Sequence, residues 1–164
     1  MADEVPVRLS RDPRGVATVT IDRPARHNAL SSAVVAELTA IMAGLHEDAS
    51  VRAVVLAASG PTFCAGADIG EMRRAADAAP ADNEREARCL ASLLLQLDGL
   101  AHPTVARVQG DAFGGALGLI AACDVAVAAE GARFALTEVR LGIVPAMISP
   151  FVVRAIGARQ ARRY

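Results

Sequence analysis

Short apolar runs punctuate this chain: VRAVVLAA at 51–58, TVARV at 104–108 and VAVAA at 125–129, each preceded by a stretch of helical character. A strand with little polar alternation must be covered on both faces, and such strands belong to parallel sheets flanked by helices. Parallel neighbours need a crossover, so strands alternating with helices predict βαβ units and a largely parallel α/β sheet. The chain has 164 residues, 53% of them hydrophobic but only 3% aromatic. That fits one domain spanning 1–164, with a core of Ala, Val, Leu and Ile in tight layers.

Upstream, residues 5–9 and 16–21 read as strands joined by the DPRG turn at 12–15, with one face of VATVTI buried more deeply. RPARHNAL (23–30) is a loop. Ser31 or Ser32 caps a helix whose apolar stripe is Val34, Val35, Leu38, Ile41, Met42 and Leu45. SGPTFCAGAD is a Gly/Pro loop leading to a short helix from about residue 69. DAAPADNERE (77–86) is the most flexible-looking stretch, a helix follows over about 84–100, and Pro103 bars its continuation. Residues 125–129 form a fourth core strand. Residues 147–164 read as helix interrupted by Gly157, stopping without a C-cap.

Several function classes lose support here. Seventeen Lys and Arg against 18 Asp and Glu leave a net charge of −1, no electrostatic case for nucleic acid or an anionic membrane. The opening residues show no signal pattern, and the apolar run 112–123 is too short to span a bilayer. Cys64, Cys89 and Cys123 lack metal-ligand spacing and read as reduced, mostly buried thiols of a cytoplasmic protein. His27, His46 and His102 are scattered, and no GxSxG, GxGxxG or phosphate-loop pattern occurs, so no metal, catalytic triad or nucleotide cofactor is expected.

Two segments share one design. FCAGADI (63–69) and DAFGGAL (111–117) each follow an apolar strand, carry small residues and lead into a helix. Helix starts expose unpaired N–H groups and a positive dipole end, and parallel sheets bind ligands beyond their strands' carboxyl ends. Two such N–H groups converging on one point make an oxyanion hole, commonly worth about 3 kcal/mol per donor. The plainer alternative is that the glycines only permit tight turns and close helix–strand packing.

The stretches IDRPARHNAL, FCAGADI, VQGDAFGGALGLIAACD and ARFALTEVRLGIVP, in that order and spacing, resemble the enoyl-CoA hydratase/isomerase (crotonase) superfamily across essentially the whole chain. The resemblance implies a crotonase-like ββα spiral that binds an acyl-CoA thioester, with coenzyme A entering as part of the substrate and no separate cofactor. Carried over by position, the oxyanion donors are the amides of Ala67 and Gly115. The loop Ala65, Asp68, Ile69 and Gly70 would embrace the thioester end, Asn28 and Ala29 would sit in the substrate-binding loop that receives the CoA nucleotide, and Phe113 and Pro145 would contact substrate.

Family hydratases pair two glutamates. One matches Glu138 here; the other position holds Gly118. The residues around Glu138 are similar to the bacterial methylglutaconyl-CoA hydratase-type branch, in which Gly118 would leave room for a distal carboxylate or a water. One acid suffices for hydration of a 2-enoyl-CoA; it equally suits a double-bond isomerase, and the missing glutamate leaves a non-catalytic acyl-CoA-binding fragment as a third reading. The four arginines between 154 and 163 read as a solvated face. Relatives continue into C-terminal helices that close the acyl pocket and build trimers, so the chain reads as truncated, with a trimer or dimer of trimers expected at full length. Asp68 reads as a helix cap before a catalytic acid, Asp124 as an anchor of the next strand, and Cys64 as a buried thiol before a nucleophile.

Overall fold

The structure, a computed structural model, describes residues 6–163. Strand β1 (Val7–Arg11) pairs antiparallel with β2 (Val16–Ile21); the Val5 end of the expected 5–9 strand lies outside the described residues. Asp12 fixes the turn between them, its Oδ1 accepting from the amides of Arg14 (2.9 Å) and Val16 (3.1 Å). β2 then runs parallel to β3 (Ala53–Ala58), β3 to β5 (Thr104–Val108), and β5 to β7 (Val125–Ala128). The order β1-β2-β3-β5-β7 is the largely parallel sheet that the apolar runs predict.

A second, smaller sheet was not legible in the sequence. β4 (Thr62–Cys64), β6 (Asp111–Phe113) and β8 (Phe134–Ala135) pair in parallel in that order. Two or three residues are too few to display a period, so the two Gly-rich segments read as loops each open with a short strand, and a third lies at 134–135. This sheet positions the candidate site.

Helix α1 (Ser32–His46) is capped by Ser31, whose Oγ accepts from the Val34 amide, and it buries Val34, Val35, Leu38, Met42 and Leu45. Asp68 caps α2 (Ile69–Ala76). α3 (Pro80–Asp98) starts inside the stretch expected to be flexible: Pro80 occupies the first helical position, where its missing N–H costs nothing. α4 (Gly115–Ala122) follows the second Gly-rich turn, and α5 (Ser149–Ala161) departs from helical geometry at Gly157. Residue 164 lies outside the described residues. The core gathers Leu56, Phe63, Leu93, Leu94, Leu97 and Leu119 between sheet and helices.

Two expectations need correction. VAVAA is not a core strand: β7 hydrogen-bonds to β5 on one side only and ends the sheet, leaving Val125 51% and Val127 58% exposed. Cys89 is exposed on α3, whereas Cys64 is buried and Cys123 half-buried. Asp124 does anchor its strand. Its Oδ2 accepts from the Thr104 amide (2.7 Å) and hydroxyl (2.8 Å), tying the starts of β5 and β7.

Candidate functional site

Both Gly-rich turns leave the small sheet at the carboxyl ends of its strands and come into contact. A Cβ on Gly66 would lie 2.8 Å from the Phe113 carbonyl oxygen and 3.6 Å from Gly114 Cα. Gly66 also has φ +87°, so only glycine fits this crossing without strain.

The first turn is stitched to residues 27–30. The Ala65 amide donates to His27 O (3.0 Å), Leu30 to Gly66 O (2.8 Å) and Asp68 to Leu30 O (3.1 Å), forming a parallel bridge between Leu30 and Ala67. In such a bridge the central residue's own N–H points away from its partner strand. The Ala67 amide therefore faces outward, on an exposed residue. Gly115 is the first residue of α4, where an amide has no partner within the helix. Its Cα face packs on Leu30, 3.3 Å from Cδ1 to where a Cβ would stand, so Leu30 touches both turns.

Glu138 opens a 3-10 turn (Glu138–Leu141) just after β8. The Gly114 amide donates to Ala135 O at 3.0 Å, which sets that segment beside α4. A Cβ on Gly114 would meet Glu138 Oε1 at 3.1 Å and its carboxyl carbon at 3.6 Å, so the carboxyl group lies on the glycine that precedes Gly115. Glu138 Oε2 is buried and has no hydrogen-bond partner. A buried unpaired carboxylate oxygen is costly in a folded protein, and at the Gly-rich turns that cost calls for a reason.

The remaining expected residues divide. Ala65, Ile69 and Gly70 are exposed around the first turn, and Asp68 caps α2 through Gly70 N (3.0 Å) and Glu71 N (3.4 Å). Phe113 is half-buried, its carbonyl turned to Gly66. Pro145 is half-buried and lines an apolar cavity of ≈ 240 Å³ with Leu136, Ile148, Val152, Val153 and Ile156.

Asn28 and Ala29 lie buried within the 23–30 loop. Asn28 is 0% exposed, its Oδ1 accepting from Arg23 N (2.8 Å) and its amide donating to the carbonyls of Ser59 and Thr62 (both 2.8 Å). Ala29 is buried, with its carbonyl held by Arg23. They shape the loop from within.

Gly118 leaves no room either. A Cβ there would stand 2.4 Å from Ile148 Cγ2 and 3.3 Å from Leu94 Cδ1, so aliphatic side chains already fill that space. Ile148 was not singled out in the sequence; the hint was a glycine inside a helix, which marks a close approach. Cys64 is no nucleophile, because burial pushes its thiol up to about 12. Among the described residues no His, Cys, Asp or Glu cluster is placed to hold a metal, and no helix is long and apolar enough to cross a membrane.

Residues 11–164 match the family model for enoyl-CoA hydratase/isomerase. Enoyl-CoA hydratase AKT6-1 of Alternaria alternata is 37% identical over 150 residues, covering 90% of this chain and 48% of that protein. A solved enoyl-CoA hydratase from Shewanella pealeana superposes with a TM-score of 0.94 at 42% identity, over 97% of this chain and 60% of that one. Its Mycobacterium smegmatis counterpart gives 0.92 at 40%, over 98% and 62%. The chain thus spans between 48% and 62% of the length of these relatives. The fold is the crotonase-like ββα spiral, and the chain belongs to the enoyl-CoA hydratase/isomerase family.

Proposed function

We propose that this chain carries the thioester-binding and acid–base machinery of an enoyl-CoA hydratase. The thioester oxygen of a 2-enoyl-CoA sits between the amides of Ala67 and Gly115. Glu138 takes a proton from water, and the hydroxide bonds to Cβ. The double-bond electrons move toward the thioester, and its oxygen becomes an enolate that the two amides stabilise. The proton on Glu138 then returns to Cα, so one carboxyl group serves as base and acid in turn. The reaction needs no cofactor beyond the coenzyme A carried by the substrate.

The observation that supports this reading is the unpartnered, buried Glu138 Oε2 beside the glycine that precedes Gly115. Glu138→Gln keeps the shape and removes the base; kcat for crotonyl-CoA hydration is expected to fall by about 10²–10⁴-fold. Unchanged turnover ends the assignment. A second reading, double-bond isomerisation, gains from Gly118: with one carboxyl group present, the same acid can carry a proton along the acyl chain. Product analysis separates a hydroxyacyl-CoA from a shifted alkene.

For substrate, the segment around Glu138 favours 3-methylglutaconyl-CoA over crotonyl-CoA, although the distal carboxylate must lodge elsewhere than at Gly118. A clear preference for the unbranched monoacid refutes that choice. For the full-length protein a trimer or dimer of trimers belongs to the same proposal, supported by the exposed Val125, Val127, Leu141 and Val144, which leave apolar surface to cover. Sedimentation analysis tests it.

A further inference from the structure

The Ala67 amide lies on a turn that a single arginine fastens. Arg23 follows β2, and its Nη1 donates to the Ala29 carbonyl (2.8 Å) and to Ser31 Oγ (3.2 Å), while Nη2 lies 3.6 Å from Asp68 Oδ2. Ser31 is the cap of α1 and Asp68 the cap of α2. One guanidinium therefore joins the caps of two helices, and the Leu30–Ala67 bridge runs between those caps. The two side chains of the ion pair are only 21% and 17% exposed, which limits screening by solvent.

The arginine is itself held. Its amide donates to Asn28 Oδ1 (2.8 Å) and its carbonyl accepts from Asn28 N (3.0 Å), so the buried asparagine fixes the arginine's backbone. Asp68 divides its oxygens: Oδ1 serves the α2 amides, and Oδ2 faces Arg23. A second tie runs parallel, with Glu71 Oε2 accepting from Ser32 N (2.7 Å) and Ser32 Oγ (2.9 Å).

We propose that Arg23 is a positioning residue for the Ala67 amide, fixing through Asp68 and the Ala29 carbonyl how that N–H is aimed. This rests on the oxyanion role given to Ala67 above. An oxyanion donor acts by being aimed before the charge develops, and an error of about 1 Å can cost about 10²-fold in rate. Lysine cannot replace arginine fully, because its single nitrogen cannot reach at once the partners that Nη1 and Nη2 divide between them.

The test compares Arg23→Ala, Arg23→Lys, Asp68→Asn and the Ala/Asn double variant, with steady-state kinetics on crotonyl-CoA and hydrogen exchange of the 63–71 segment. Asp68→Asn keeps an oxygen for the α2 cap and removes the charge. Expected is a fall in kcat of about 10- to 100-fold for Arg23→Ala with KM little changed, a smaller fall for Arg23→Lys, and a double variant no slower than the worse single. Exchange at 65–68 should quicken in each. Folded variants with unchanged kcat, or double-variant losses that simply multiply, overturn the proposal. If the unaltered protein hydrates no enoyl-CoA, the functional reading fails instead; exchange then decides whether Arg23 fastens the turn, and unchanged exchange in Arg23→Lys refutes it.

Discussion

Gly118→Ala makes a quantitative test of the packing that replaces the second acid. The new methyl would stand 2.4 Å from Ile148 Cγ2, 2.9 Å from Ile148 Cβ and 3.3 Å from Leu94 Cδ1. Carbon atoms prefer about 3.5–4.0 Å, so the overlap with Ile148 exceeds about 1 Å. Ile148 cannot retreat easily: it is 2% exposed, and its carbonyl accepts from Phe151 N (3.1 Å) and Val152 N (3.0 Å) at the start of α5. Overpacking costs about 1–3 kcal/mol, here toward the upper end. Replacing a helical glycine returns about 1 kcal/mol. The net expectation is a loss of about 1–2 kcal/mol, seen as a lower urea midpoint at unchanged m.

Ile148→Ala removes the Cγ2 contact at a cost of about 2–5 kcal/mol on its own. In that background the retained Cβ at position 148 still stands 2.9 Å from the new methyl, so Gly118→Ala should cost less than in the unaltered protein without becoming free, giving a coupling of at least about 1 kcal/mol. Additivity within about 0.5 kcal/mol, or a stabilising Gly118→Ala in the unaltered protein, would refute the reasoning. The same geometry predicts that Gly118→Glu does not add a working second acid. It carries the same Cβ clash and buries a charge among aliphatic groups, so it should be less stable than Gly118→Ala and no more active.

Burial and hydrogen bonding elsewhere in the fold set further outcomes. Native protein should expose one fast-reacting thiol, Cys89, because burial raises both Cys64 and Cys123 to about 12; all three react after denaturation, and rapid labelling of Cys64 would contradict its packing. Gly66→Ala combines a positive φ with a 2.8 Å approach to Phe113 O and should cost at least about 2 kcal/mol by urea unfolding. Asp124→Asn weakens the tie to Thr104 and should lower stability by about 1 kcal/mol, read in the same assay. Asp12, Asp48, Asp111 and Asp124 are each held below their ordinary value of 3.8, by Arg14, Ser50, Arg133 and the Thr104 amide respectively. Their stabilisation is present above 3.8 and lost as pH falls through the lower folded values, so acid unfolding attributable to them should begin below about pH 4; equal loss between pH 7 and 5 would contradict this assignment.

What could be read in the sequence depended on length and repetition. The β3 run, the alternation of β2 and the α1 stripe extend over enough residues for a period to show, and they fold as read. The small sheet is built from strands of two or three residues, so nothing periodic announced it. Helix α3 starts earlier than its apolar pattern because Pro80 sets the start and packing of Leu93, Leu94 and Leu97 holds the rest. Composition around residues 77–86 reported only that this end of the helix is solvated.

Side-chain roles were less legible than positions, and hydrogen-bond bookkeeping is what separates them. Asp68 and Glu138 both border the Gly-rich turns, and both are acids that a sequence offers as catalysts. Asp68 has committed its oxygens, one to the amides of Gly70 and Glu71 and the other to Arg23; using it as a base would dismantle the start of α2. Glu138 has a buried Oε2 with no partner at all. Asn28 is the mirror case, a polar residue expected at a ligand whose every side-chain atom is already satisfied inside the protein. Chemistry requires a group that the fold leaves unsatisfied and yet holds in place. Of the two acids, Glu138 is the one with a buried oxygen left unpaired, and that is what supports the proposed catalytic role.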